Sequence, residues 1–262
     1  MQREDSMKRL LALITLLCFL VAGCATKKKD VVYQTSTIDA LLAGVYDGQM
    51  SCKQLLRHGD FGIGTFDGLD GEMLVLDGNV YQVKADGRVY QPDASVNTPF
   101  ATVCRFDPDQ RFPIERGVDF EKIEHVIDQH AFNRNIFYAV RIDKRFSKVR
   151  TNSVPPHNKP YPPLSELTQS HPEFDACNIS GSIVGFRCPS YVKGVNVPGY
   201  HLHFISTDRS MGGHILSFEI DHAECEIDAL NQYYLSLPEG DDAFSTTDLS
   251  RDRSEELEKV ER

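Results

Sequence analysis

Gly199-Tyr200-His201-Leu202-His203-Phe204, followed by Gly212-Gly213-His214, is the most informative stretch of this 262-residue chain. Side chains alternate across a strand with period two, so a His-x-His pair on a strand presents both imidazoles on one face. The polar stretch Ser206–Met211 and the two glycines can turn the chain back, returning His214 to that face on a paired strand. A lone histidine on a half-buried strand is ordinarily a packed, hydrogen-bonded residue, and on spacing alone that reading and a metal site stand level. Three neutral imidazole nitrogens without a thiolate suit zinc, and three protein ligands keep one coordination position open for substrate. The stretch therefore predicts a catalytic rather than a structural metal site, with His201, His203 and His214 as ligands.

Outward from this hairpin the pattern is strand-rich. Gly62–Phe66, Glu72–Leu76, Val80–Val83 and Val89–Tyr90 read as strands, with Asp77-Gly78 and Asp86-Gly87 as turns between them. Ile136–Ile142 and Phe146–Thr151 read as a further hairpin, and strands are expected near Ser182–Phe186, Tyr200–Ser206 and His214–Ile220. Helices are fewer. Thr37 caps Ile38–Ala43, with Gly44 as its stop. Phe120, Ile123, Val126 and Ile127 follow helical spacing within Asp119–Gln129. Helices are also expected near Asp228–Leu235 and over the charged tail Ser254–Arg262, where Leu257 and Val260 share a side.

Pro155, Pro156, Pro160, Pro162 and Pro163 break regular structure and mark the domain boundary. The expected fold class is α+β: mixed and antiparallel β-sheets with a few helices, in two closely coupled sheet subdomains. Residues 33–154 form the N-terminal sheet subdomain, and residues 155–262 the metal-binding subdomain with its C-terminal tail.

Lys8-Arg9 precedes an apolar run from Leu10 to Ala22 that has signal-peptide proportions and is short for a membrane span. Met7 is an alternative start. Val21-Ala22-Gly23-Cys24 is a lipobox pattern, in contrast to a plain signal peptide with an incidental cysteine. Residues 1–23 are thus read as a lipoprotein signal peptide, Cys24 as the lipidated residue and 24–32 as a tether carrying Lys27-Lys28-Lys29. Ala25 stands where an inner-membrane retention signal would show Asp, so the expected location is the periplasmic side of the outer membrane, the lipids providing the membrane anchor.

Residues 1–23 carry three cations and two acids, and their removal takes the formal charge from −10 to −11. An acidic chain without basic clusters is read as binding no nucleic acid. Besides Cys24, the exported chain holds Cys52, Cys104, Cys177, Cys188 and Cys225. Five thiols cannot all pair, no CxxC unit is present, and Cys177–Cys188 is the expected disulfide. His222 and Cys225 are two isolated donors and are read as structural.

Several longer motifs occur in one order: Tyr33-Gln-Thr-Ser-Thr37, Leu41-Leu-Ala-Gly-Val-Tyr46, His58-Gly-Asp-Phe-Gly-Ile-Gly-Thr-Phe66 running into Leu69-Asp-Gly-Glu72, Val184-Gly-Phe186, Val195 to His203, and Asp208-Arg209 leading to Gly212-Gly-His214. On these motifs the chain resembles bacterial alpha-acetolactate decarboxylases from about Tyr33 to the C-terminus. The resemblance implies zinc on His201, His203 and His214, with 2-acetolactate as the small-molecule substrate, acetoin and carbon dioxide as products, and a homodimer left open. It also implies Glu72 as acid/base, Glu261 as its partner near the C-terminus (Glu258 as the fallback) and Thr65 as a hydrogen-bonding positioner. Zinc would act as a Lewis acid for the substrate oxygens.

One segment departs from that pattern. The family usually has Thr-Arg-Thr/Ser-Val-Pro, and its arginine enters the site. Here Arg150-Thr151-Asn152-Ser153-Val154-Pro155 puts Asn152 in its place, with Arg150 two residues back as the expected substitute. Losing a cation beside a developing oxyanion costs on the order of 3 kcal/mol. This departure keeps two other readings open: a binding lipoprotein that has lost decarboxylation, and a zinc lyase acting on a related 2-hydroxy-3-oxo acid.

Overall fold

The computed structural model describes residues 30–167 and 171–261. The signal-peptide segment, Cys24 and Lys27–Lys29 lie outside the described residues. From Val31 the chain is already a strand, two residues before the expected start of the sheet subdomain.

In chain order come β1 (Val31–Thr35), β2 (Met50–Ser51), β3 (Phe61–Thr65), β4 (Glu72–Leu76), β5 (Asn79–Val83), β6 (Val89–Tyr90), β7 (Asn97–Thr98), β8 (Ala101–Cys104) and β9 (Gln110–Ile114). Longer strands follow as β10 (Phe137–Asn152), β11 (Glu173–Cys188), β12 (Gly199–Ser206) and β13 (Gly212–Leu230), and β14 (Gln232–Ser236) closes the series. The helices are α1 (Ile38–Leu42), α2 (Cys52–Leu55), α3 (Phe120–His130), α4 (Asp242–Thr246) and α5 (Ser254–Glu261). The α+β class with mixed sheets and few helices is thus observed.

One sheet has seven strands in the order β14-β1-β8-β3-β4-β5-β6, a second has five in the order β10-β11-β12-β13-β9, and β2 and β7 form a separate antiparallel pair. In the second sheet β10 pairs with both β11 and β13, and His203 on β12 sits opposite His214 on β13. Strands β10 to β13 therefore close on themselves at the end that carries the histidines. A shared core lies between the sheets, where Phe61, Ile63, Leu74 and Leu76 of the first meet Ala139, Val184, Phe186 and Ile205 of the second. The second sheet's other core packs Phe146, Phe204 and Phe218 edge to face and is covered by Ile123 and Ile127 of α3.

Local signals explain the short elements. The Thr37 hydroxyl accepts from the Ala40 N–H, and Gly44 follows at φ 98°. Asp77 and Gly78 both have positive φ, the turn that joins β4 to β5 with the right twist. Asp119 caps α3 through the Lys122 N–H.

Four expectations are corrected. The prolines do not separate the sheets: β9 and β10 precede them and belong to the second sheet, while β14 follows them and pairs in parallel with β1. The Ile136–Thr151 hairpin is one strand, because neighbours on both flanks hold Asp143-Lys144-Arg145 extended. The turn signal survives only as Lys144 at φ 122° and register shifts near Phe146. The helix near Asp228–Leu235 is strand instead, with Asp228 opposite Ala139 and Tyr233 beside Val32, so pairing overrides propensity. Cys177 and Cys188 are free thiols eleven residues apart along β11, roughly 36 Å at strand rise, and cannot be bridged.

Candidate active site

Alternation on β12 places His201 and His203 together, and the register with β13 adds His214 directly opposite His203. Gly213, at φ 132°, permits that meeting: a Cβ there would stand 2.3 Å from the Asn152 carbonyl oxygen. The three imidazoles are buried, with ligand nitrogens all within 4.8 Å of one another. His203 Nε2 lies 3.3 Å from His201 Nε2. Two nitrogens on one tetrahedral zinc, each bonded at about 2.0–2.1 Å, stand roughly 3.3–3.4 Å apart. His203 Nδ1 lies 3.0 Å from the Met73 carbonyl, so it donates there and turns the Nε2 lone pair toward the cluster. His214 Nε2 is buried with no hydrogen-bond partner. A buried acceptor aimed into a nitrogen cluster fits a metal ligand, and the three residues fit a divalent cation.

Burial pushes all three imidazoles toward the neutral form: His201 goes well below its ordinary value, His203 to about 3 and His214 to about 4. Mutual repulsion adds to this for His201 and His203. At neutral pH the lone pairs are therefore available.

Two carboxyl groups flank the triad. Glu72 Oε2 is 3.6 Å from His203 Nε2, and Glu261 Oε2 is 3.8 Å from His201 Nε2. Glu72 opens β4 opposite Thr65 of β3, and its carboxyl accepts the Val154 N–H. Gly71, at φ 90°, makes this start achievable, since a Cβ there would fall 2.1 Å from the Val83 carbonyl oxygen. Thr65 donates its hydroxyl to the Gly71 carbonyl at 2.8 Å, which leaves only lone pairs toward the cavity. Glu261 arrives on α5, whose Leu257 and Val260 pack against Ile38, Leu42 and Phe100. Glu258, on the same helix, is exposed and does not line the cavity. Desolvation pushes Glu72 up to about 8, helped by the Glu261 charge and opposed by the Val154 N–H; desolvation alone pushes Glu261 up to about 8. Both are proton carriers poised near neutrality.

Together these groups border a cavity of ≈ 60 Å³. Its apolar wall is Ile38, Leu41, Leu69, Phe100, Leu164 and Val260, and its polar wall Thr65, Glu72, Asn152, His171, His201, His214 and Glu261. Asn152 is where the sequence placed it. Arg150 is not: its guanidinium donates to Asp175 at 2.9 Å on the outer surface. The pairing of β10 with β11 runs unbroken from Lys148 to Asn152, so the two keep their alternation, but Arg150 lies further from the cavity and its guanidinium turns to the exposed Asp175 and Glu173. His171 is a lining residue that sequence reasoning missed, because it sits in irregular chain before β11 and outside any spacing pattern.

The alpha-acetolactate decarboxylase family model matches residues 32–251. The alpha-acetolactate decarboxylase of Methanosarcina mazei is 48% identical over 93% of this chain and 84% of its own length. That of Methylococcus capsulatus is 42% identical over 88% of both. The crystal structure of alpha-acetolactate decarboxylase from Bacillus subtilis strain 168 superposes with a TM-score of 0.86 at 37% identity, covering 88% of this chain and 99% of that one. The matched range, the whole-chain identities and the superposed fold agree, and the chain belongs to the alpha-acetolactate decarboxylase family of carboxy-lyases.

Proposed function

We propose that this chain converts 2-acetolactate to acetoin and carbon dioxide at a zinc site formed by His201, His203 and His214. The observation that carries the reading is the pair of carboxyls, Glu72 and Glu261, each buried beside the cavity and within 4 Å of a triad nitrogen. A bound zinc ion would supply Lewis acidity to the vicinal oxygens of the substrate. The protein's own residues do the rest. As the bond to the carboxylate breaks, its electron pair moves into the adjacent carbonyl, and the resulting enediolate takes a proton on carbon. Glu72, fixed by the Val154 N–H at the start of β4, delivers that proton to one face, which gives a single enantiomer of acetoin. Glu261 returns a proton to the site, and once either carboxyl has ionised its charge raises the proton affinity of the other. Thr65 holds the Gly71 turn and accepts a hydrogen bond from the substrate. The apolar wall receives the methyl groups and excludes water.

Glu72→Gln keeps the size and hydrogen-bonding reach of the side chain but removes its acid. Turnover should fall by about two orders of magnitude or more, with zinc content by atomic spectroscopy unchanged. A variant with wild-type turnover would remove Glu72 from the role.

Asn152 favours a second reading. Among the described residues lining the cavity there is no lysine or arginine, and Arg150 points outward. A family member without that cation could bind its ligand, or act on a related 2-hydroxy-3-oxo acid, without decarboxylating acetolactate. An assay for carbon dioxide and acetoin separates the readings. Lipidation at Cys24, anchoring on the periplasmic side of the outer membrane, and a homodimer complete the proposal, supported by the Val21–Cys24 pattern and by the resemblance. Metabolic labelling with a fatty acid and sedimentation of the unanchored protein test them.

A further inference from the structure

His171 carries a buried Nε2 with no hydrogen-bond partner, and its ring lines the cavity. Buried polar atoms are nearly always paired, so an orphan on a residue that lines a ligand cavity points to a partner that the ligand supplies. The position of the ring is built into the sheet. Asn152 at the end of β10 pairs with Glu173 at the start of β11 on one side and with His214 on the other. Next to it the Ser153 N–H donates to the Pro172 carbonyl at 3.3 Å, which fixes the residue following His171. Asn152, His171 and His214 are thereby gathered at one end of the cavity, and His171 is close enough to His214 for their charges to repel.

The other polar groups of the wall are already assigned. Thr65 has its proton on Gly71, Glu72 and Glu261 are the proton carriers, and the triad nitrogens face one another. A substrate carboxylate entering this cavity finds no lysine or arginine among the described lining residues. Asn152 and His171 are the neutral donors left for it.

We propose that His171, with its ring proton on Nε2, and the Asn152 amide form the subsite that receives the carboxylate of a 2-hydroxy-3-oxo acid; this rests on the decarboxylase reading above. Neutral donors suit a group that must leave. They orient the carboxylate without stabilising its charge as strongly as a cation would, so less ground-state binding is lost when the carbon–carbon bond breaks.

The test compares two probes by calorimetry on the zinc-loaded protein. One is 2,3-dihydroxy-2-methylbutanoate, which keeps the vicinal oxygens and the carboxylate but lacks the ketone needed to shed it. The other is 2,3-butanediol, which lacks the carboxylate. His171→Leu should weaken the acid by about tenfold or more and leave the diol within about twofold, with zinc content unchanged. His171→Gln, which restores a donor, should recover most of the loss. His171→Phe takes the place of the leucine variant if that one does not fold. Equal weakening of both probes, no weakening of either, or a wild-type protein that prefers the diol would overturn the subsite. Absence of carbon dioxide release by a wild-type protein that still shows the acid preference would instead sink the decarboxylase reading alone.

Discussion

At the residue scale the site sets opposite demands on its two kinds of titrating group, and the protein without metal should show both in its stability. Unfolded carboxyls and imidazoles return to about 4.5 and 6.5. Below 6.5 the unfolded chain takes up protons that the three buried imidazoles refuse, so stability falls as acid is added. Glu72 and Glu261 work the other way: between 4.5 and about 8 the folded state keeps protons that the unfolded state has released, and stability falls as pH rises. From 4.5 to 6.5 three imidazoles outweigh two carboxyls, and above 6.5 the two carboxyls act, with Asp228, pushed up to about 7 by burial, adding to the start of the same decline. Denaturant unfolding of the chelated protein should show a maximum near pH 6.5 and a decline toward pH 8, by up to roughly 1.4 kcal/mol per unit for each carboxyl. Adding zinc should flatten the upper limb, since a dication favours the ionised carboxylates. A metal-free protein whose stability climbs steadily through pH 8 would show that these carboxyls are not held protonated.

At the scale of elements, α5 is the part on which chemistry depends most, although it stands last in the chain. Its sequence showed the helix, through Leu257 and Val260 on one side, but not its dock. The receiving surface, from Ile38 and Leu42 to Phe100 and Leu164, is scattered over more than a hundred residues and carries no mark of its partner. Lys193 to Asp252 at 2.9 Å, an exposed pair that contributes little beside the apolar contact, and the buried Arg253 with Glu256 hold the approach to the helix. Leu257→Asp should therefore release the helix and take Glu261 out of the cavity. Turnover should drop about a hundredfold while zinc binding persists, because all three ligands sit on β12 and β13. Activity and zinc content measured on one preparation check this, and retained turnover would exclude Glu261 from the site. The same scale explains what else could be read. The triad was legible because period two and a glycine turn are local properties of Gly199–His214. Arg150 was misplaced because its exposed carboxylate partners, Asp175 and Glu173, come from β11, a strand that local spacing around Arg150 does not reveal.

At the scale of the whole molecule the sequence suggested two units joined at the prolines, and the topology makes one. The chain visits the first sheet with β1, β3 to β6 and β8, the second with β9 to β13, and returns to the first with β14, which lies against β1 some two hundred residues away. Such long-range parallel pairing leaves no periodic trace near either strand, so only composition and breakers were available to mark a boundary. The sheets also share their best-buried contact: Phe61 with Phe186 edge to face, Leu74 and Leu76 against Val184 and Ile205. The active site crosses the same seam, since Met73 of the first sheet orients His203 of the second. Unfolding either sheet alone would expose half of that core, at about 25 cal/mol for each Å² of apolar surface, and would break the triad's support. Scanning calorimetry of the unanchored protein should give one transition, with calorimetric and van't Hoff enthalpies equal. Zinc should move that single transition upward as a unit, because an ion bound only by the folded triad stabilises everything coupled to it. Two resolved transitions, only one of them responding to zinc, would restore the boundary at Pro155–Pro163 and separate the metal site from the sheet that carries Glu72.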